Sequence, residues 1–341
     1  MGSVKDLIIL EEARKDKIGK ARFVFSDRYS VFDWGEMPDH IKNKGYAIAL
    51  LGAYFFEKME EMGIENHYVG LIEKEKVKKL DELKKPSNVM EIKLLRVIKP
   101  DIKEGKYDYS IYKKEKGNFL IPLEVIYRNY LPEGSSVFRR LKEGQLKLED
   151  LGLEHYPKPG EKLKETFIDV STKLEITDRY ISWEEAKEIA GLSKEEMEEM
   201  KKIVEKINNL VTEEFAKIGL RNEDGKIEFG FDDKRNLMVV DVVGTLDECR
   251  FTWNGIPISK EIARIYYRKT EWYKAVEEAK KKDRQKWKEI CKLKPEPLPE
   301  KLSKAISQIY CACTNEITGR IWFEEVPPLK EILEDIKEVM R

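Results

Sequence analysis

Residues 226–243, KIEFGFDDKRNLMVVDVV, are two apolar runs on either side of a polar turn, with the acids Glu228 and Asp241 set inside them. Runs rich in Val, Phe and Ile that flank a short Asp/Lys/Asn turn read as an antiparallel hairpin. With a four-residue loop at Asp233–Asn236, Phe229 faces Val240, Phe231 faces Met238 and Glu228 faces Asp241. Opposed side chains on one face lie about 5 Å apart, and like charges there repel. Two accounts follow. Either the face is exposed and solvates both acids, or a cation sits between them. Magnesium suits the second, because it takes one or two carboxylates and completes its shell with waters and substrate phosphates. Lys226, two residues before Glu228, shares their face.

Further strands are read at Leu7–Leu10, Ala21–Phe25, Val89–Val97 and Ile121–Tyr127, and a helix over Tyr46–Met62 that stops at Gly63. Residues 99–118, polar with scattered tyrosines, read as a long hairpin excursion or flap. Ser182 and Ser193 each open a helix, with Glu185 and Glu196 three residues on completing capping boxes. After the second, Met197, Met200, Val204, Ile207, Val211 and Phe215 step by three or four, as a core-facing helix does. From Ile258 the chain is helical and charged, KPEPLP at 294–299 breaks it, and Pro327 to Arg341 forms a last amphipathic helix. These elements predict an α+β fold in three parts: a β-rich lobe over 1–97, an α+β lobe over 98–257 carrying the 99–118 insertion, and a helical extension over 258–341.

Lys and Arg total 64 against 65 Asp and Glu, so no net field recruits nucleic acid or an anionic membrane. An anionic ligand therefore needs a local site. Charged residues reach 38%, above the roughly 25% of an ordinary domain, and the excess is Lys and Glu, the bias of hyperthermophile proteins. Four cysteines at 249, 291, 311 and 313 are too irregular for a disulfide framework or a tetrahedral zinc site. A cytoplasmic protein is expected, and a homo-oligomer stays open.

Two more stretches hold candidate ligand groups. In 121–141, IPLEVIYRNYLPEGSSVFRRL, a strand ending at Arg128 leads to a Gly-Ser-Ser turn and a double arginine. Guanidinium, hydroxyl and backbone N–H donors together suit a phosphate, and a plain surface turn is the alternative. In 25–45, a strand runs into Asp27, Arg28, Ser30 and Asp33, and a loop closes on Lys44-Gly45.

Taken in order, these segments resemble the SAICAR synthetases, the phosphoribosylaminoimidazole-succinocarboxamide synthases of purine biosynthesis, from residue 2 to about 253. The matching motifs are Ser26-Asp27-Arg28-Tyr-Ser30-Val-Phe-Asp33 with Lys44-Gly45; Pro122-Leu-Glu124-Val with Arg128 and Gly134-Ser135; and Ser171-Thr172-Lys173-Leu-Glu175 with Asp178 and Ile181-Ser182. Lys226-Ile-Glu228-Phe-Gly230 and the run from Asp241 through Thr245, Asp247 and Arg250 to Trp253 complete the set. The spacing from Asp241 to Asp247 is similar to that of the fungal-like branch.

The resemblance implies a two-lobed fold, a β-rich lobe covering ATP, and an ATP-dependent ligase. ATP would phosphorylate the carboxylate of carboxyaminoimidazole ribotide, and the amine of L-aspartate would displace phosphate. It implies magnesium on Glu228 and Asp241, with Lys226, Lys44 and Asp178 as catalytic groups. Asp27, Arg28, Ser30, Asp33, Arg128, Ser135, Arg139, Lys173, Asp247 and Arg250 would bind substrates, and Gly2, Ser3, Val4, Lys5 and Glu124 would bind ATP. The chain departs from the family pattern at Ser3, where a phosphate-binding lysine is usual, and at Val242, where an acid follows the aspartate. A ligase for another carboxylate and amine, or a non-catalytic nucleotide-binding relative, are the alternative expectations.

Overall fold

The structure is a computed structural model that describes residues 4–258, 260–284 and 286–340, the side chains of 338–340 excepted; Gly2 and Ser3 lie outside the described residues. The α+β class is borne out. Strands β1 (Lys5–Glu11), β2 (Gly19–Phe25), β3 (Tyr68–Glu73), β4 (Lys76–Lys78) and β5 (Val89–Leu94) make one antiparallel sheet in the order β1-β2-β5-β3-β4, with α1 (Lys44–Glu61) inserted after β2. The 99–118 segment does contain a hairpin, β6 (Asp101–Lys103) with β7 (Lys106–Asp108). Its turn residues, Glu104 and Gly105, both have positive φ, as two-residue hairpin turns require.

The second sheet is larger. It is built from β8 (Phe119–Leu131), β9 (Glu161–Thr172), β10 (Arg221–Phe231), β11 (Leu237–Val240), β12 (Cys249–Trp253) and β13 (Ile256–Pro257), in the order β13-β12-β10-β8-β9, with β11 continuing from the end of β10. Helix α2 (Ser136–Lys142) follows β8, and α3 (Trp183–Ala190) and α4 (Lys194–Lys217) separate β9 from β10. Val125, Tyr127, Ile227 and Phe229 point to one face and join the buried cluster that holds Met200, Val204, Ile207, Val211 and Phe215 of α4. Ser193 and Glu196 form the expected reciprocal cap, whereas Ser182 only accepts from the Glu185 N–H. The C-terminal part is helical: α5 (Lys260–Arg268), α6 (Glu271–Lys282), α7 (Trp287–Ile290), α8 (Glu300–Thr318) and α9 (Leu329–Met340). Among the described residues no helix is long and apolar enough to cross a membrane.

The 226–243 hairpin forms one register away from expectation. Glu228 pairs with Val240, Phe229 with Val239 and Phe231 with Leu237, and the loop has five residues, Asp232–Asn236. Asp232 explains the extra residue: its Oδ1 accepts from the backbone N–H groups of Lys234 (2.9 Å) and Asn236 (2.7 Å), closing the turn one position early. A one-residue slip exchanges faces along the whole strand. The cross-strand acid partner of Glu228 is instead Glu124, on the opposite side of β10. Asp241 leaves β11 with φ 66, which breaks the strand alternation just where that strand ends. Val239 also bonds to the backbone of Glu65 and His67, tying the hairpin to the first sheet.

Helix α1 begins at a loop held by Asp27. The two carboxylate oxygens accept from Asn43 N (3.1 Å) and Gly45 N (3.0 Å), satisfying donors that a helix start leaves free. Gly45 has no alternative here, because a Cβ would stand 2.7 Å from the Phe25 carbonyl oxygen.

Candidate active site

The second face of the large sheet is charged. Reading across β9, β8, β10 and β12, it presents Asp169 and Ser171, then Glu124, Ile126 and Arg128, then Asp224, Lys226 and Glu228, then Arg250. Most of these line a cleft of about 670 Å³ whose other walls are Phe32 and Asp33 on one side and Lys260, Arg264, Arg268 and Lys280 on another. A larger groove of about 840 Å³ runs between α4 and the 232–236 loop, but its lining is mixed surface lysine and glutamate without a convergent set.

One end of the charged face is an arginine cluster. Asp224 sits directly opposite both Arg128 and Arg250, and bonds to Arg128 Nη1 (3.3 Å) and Arg250 Nε (2.8 Å). Arg128 also donates to Asp169 (3.2 Å), Ser136 Oγ (3.2 Å) and the Tyr180 hydroxyl (3.2 Å). Arg140 joins through Asp169 at 2.5 Å and lies over the Tyr180 ring. Arg139, expected to bind substrate, is turned outward and pairs with Glu143 in solvent. The helix phase explains the exchange. Ser135 caps α2, and Val137 and Arg140, three apart, form its buried side.

The other end gathers acids and lysines. Lys226 Nζ lies 3.1 Å from both Glu124 and Glu228 and 3.5 Å from Glu248. Lys173 Nζ lies 2.5 Å from Glu228 and 3.5 Å from Glu124. Lys5 pairs with Asp241, whose backbone carbonyl accepts from His67 Nε2 at 2.9 Å. Glu228 is only 4% exposed, which excludes the solvated-acid account. Burial, then the charge of Asp241, pushes its carboxyl up. Asp241 is held well below the usual carboxylate range, since Lys5 and Lys226 outweigh its burial. For Lys226 burial opposes the charge, but Glu248, Glu228, Glu124 and Asp241 overcome it and raise its pKa. His67 is driven down to about 4 by burial and stays neutral. Glu228, Asp241 and Lys173 do not line the cleft, whereas their neighbours Lys226 and Glu124 do.

Asp178 lines the cleft near this end, with its carboxyl pushed up to about 6, first by burial and then by Glu124. Lys44 is not open to the cleft: it is 1% exposed and bonded to Asp247 Oδ2 at 2.6 Å. Asp247 does line the cleft, and its carboxyl is drawn down to about 2, with Lys44 and Lys260 outweighing burial. Asp33 stands on the exposed rim, 3.3 Å from Lys280, while Arg28 is spent on Ser26 and Asp6. Ser30 is half-buried nearby, and the Val4 carbonyl accepts from Ser26. Val242 is buried in the core, where the missing Cβ of Gly52 leaves it room.

Asp169, Asp224, Tyr180 and Glu248 escaped the sequence reading, and Arg140 entered it only as half of the double arginine. Asp224 had a signal, since it is two residues before Lys226 and so on the same strand face. Asp169 had the matching one on β9, two before Ser171.

Fold and site together define an enzyme-like α+β protein with an arginine-aspartate end and a carboxylate-lysine end on one sheet face. The family model for SAICAR synthetase matches residues 2–284. The chain is 54% identical over 340 residues, all of both chains, to an Archaeoglobus fulgidus protein named provisionally as a phosphoribosylaminoimidazole-succinocarboxamide synthase. It is 34% identical over 312 residues to the synthase of that name from Thermoplasma acidophilum, covering 88% of this chain and 93% of the relative. In fold it resembles the SAICAR synthase of Saccharomyces cerevisiae complexed with SAICAR, with a TM-score of 0.63 over 94% of each chain at 21% identity. It also resembles a SAICAR synthetase in complex with ADP, with a TM-score of 0.56 over 87% of this chain and 99% of the other at 23% identity. The chain belongs to the SAICAR synthetase family of ligases.

Proposed function

We propose that this chain joins carboxyaminoimidazole ribotide to L-aspartate at the expense of ATP, through an acyl phosphate. The observation that carries the reading is the segregation of charge along β10. Asp224 with its arginines and Glu228 with its lysines are four residues apart, about 13 Å at a strand's rise. That spacing suits a ribotide with its phosphate at the arginines and its imidazole carboxylate near Lys226.

The γ-phosphoryl group of ATP passes to an oxygen of that carboxylate. Such transfers depend on alignment and charge neutralisation rather than on protein nucleophiles. Lys226 supplies positive charge on the cleft side, and Lys173 adds to it from behind through Glu228. Four carboxylates, Glu124, Glu228, Asp241 and Glu248, face three ammonium groups, Lys5, Lys173 and Lys226, which leaves a surplus negative charge for a further cation. Among the described residues no three acidic, His or Cys side chains form a ready-made cage. Two carboxylates with room for phosphate oxygens is the donor set magnesium uses. Glu228 and Asp241 would hold it, and it would neutralise the phosphates when bound.

The aspartate amine then attacks the acyl carbon, the C–N bond forms, the C–O bond breaks and inorganic phosphate leaves. Asp178, with a carboxyl near 6, is suited to take the amine proton at neutral pH. ADP release with ribotide and aspartate tests the reaction. Glu228→Gln and Asp241→Asn should each lower turnover about 100-fold or more, the scale of a lost charge-stabilising group. Near-normal rates in both would remove the metal assignment, and no ADP release with this substrate pair would remove the reaction.

A further inference from the structure

Helix α8 lies beyond residue 284, where the family match stops, yet it touches a residue of the cleft wall, Asp247. It runs along the start of α1. Ser307 Oγ donates to the Lys42 carbonyl at 2.6 Å, and Thr314 Oγ1 lies 3.2 Å from that of Ala47 and 2.9 Å from that of Tyr310, one turn back in its own helix. Between these ties, the hydroxyl of Tyr310 donates to Asp247 Oδ1 at 2.7 Å. The other oxygen of Asp247 accepts from Lys44, and its backbone carbonyl accepts from Lys260 at 2.7 Å. Tyr310 is buried, and packing alone would be met equally by phenylalanine. Its hydroxyl instead fills one of the two oxygens of a cleft carboxylate. That leaves Lys44 a single partner oxygen and removes the freedom of the carboxylate to turn.

We infer that Tyr310 is a positioning residue: the C-terminal helix completes the substrate site by orienting Asp247 and, through it, Lys44. The inference rests on the proposed ligase reading, with Asp247 lining the cleft and the family resemblance counting it among the substrate-binding residues. A carboxylate whose orientation is fixed by a charged hydrogen bond should lose function when that bond goes, even though the ring stays.

Three variants and one double variant test this by steady-state ADP release and thermal melting. Tyr310→Phe should lower kcat roughly ten-fold, the effect of one hydrogen bond to a charged group, with KM for ATP unchanged. Ser307→Ala, which cuts the tie between α8 and the loop before α1, should lower the melting midpoint and leave kcat alone. Asp247→Asn should lower kcat at least as far as Tyr310→Phe, and the double variant should be no slower than Asp247→Asn. If Tyr310→Phe behaves as Ser307→Ala does, or multiplies with Asp247→Asn, α8 is only a buttress and the inference is wrong. If Asp247→Asn keeps full kcat while the wild type turns over, the placing of Asp247 in the site fails, and the inference with it.

Discussion

Asp224→Asn separates the stability of the arginine cluster from its capacity to hold an anion. Asp224 bridges Arg128, 2% exposed, and Arg250, 25% exposed, and its own side chain is 7% exposed. Removing one partner of a buried pair costs about 3–5 kcal/mol, because a charge is left without compensation. Arg128 keeps Asp169 and Arg250 meets solvent, so the lower end applies, about 3 kcal/mol. Anion binding moves the other way. Arg128, Arg140 and Arg250 against Asp169 and Asp224 leave a net charge of one, and the variant makes it two. A carboxylate about 6 Å from a phosphate across a guanidinium repels it by roughly 3 kcal/mol at an effective dielectric near 20. Screening at the open end of the cleft halves this, so affinity for inorganic phosphate should rise about ten-fold. Urea denaturation with and without phosphate, at constant ionic strength, measures both effects. The variant should unfold earlier without phosphate and gain more from phosphate than the wild type. A loss below about 1 kcal/mol, well under the buried-pair range, or equal phosphate responses in the two proteins, would refute the reasoning.

Asp178 gives a pH test. Its carboxyl is raised from 3.8 to about 6 in the folded protein, so the fold binds this proton more tightly than the unfolded chain does, and its burden on stability grows as pH rises from 3.8 and is complete by about 6. Turnover should therefore fall as pH drops below about 6, and Asp178→Asn should lose most activity while melting higher than the wild type at pH 7. A wild-type rate that stays flat from pH 5 to 8 would exclude it as the base. In the double arginine, Arg139→Ala should change stability and activity little, whereas Arg140→Ala should destabilise the fold by about 2 kcal/mol or more, measured by denaturant midpoint, because Asp169 loses a partner in a buried network.

The elements that could be read in advance are those specified locally. The stripe and cap of α4 and the strand runs depend on periodicity, capping and turn residues that lie within a few positions of one another. The hairpin register depended on one side chain, Asp232, whose two bonds to its own loop make five residues close where four were expected. The acid facing Glu228 could not be read locally at all. Glu124 comes 104 positions earlier, and only the pairing of β8 with β10 brings it opposite. Arg140 over Arg139 was within reach, since the Ser135 cap sets the helix phase and Val137 marks the buried side.

Val242 shows how a departure from a family pattern is absorbed. An acid beside Asp241 would add a charge to a cluster that already has more carboxylates than ammonium groups. Here the position turns into the core instead, with a valine methyl 3.0 Å from where a Cβ on Gly52 would stand. Gly52 and Val242 are thus a matched pair. A side chain on α1 at 52 would push the valine, and with it the turn that carries Asp241 at positive φ, away from Lys5. The acids at this end of the sheet owe their placing to apolar contacts behind them. The charged face can be buried because the strand residues between its acids, Ile227 and Phe229, anchor the opposite face in the core.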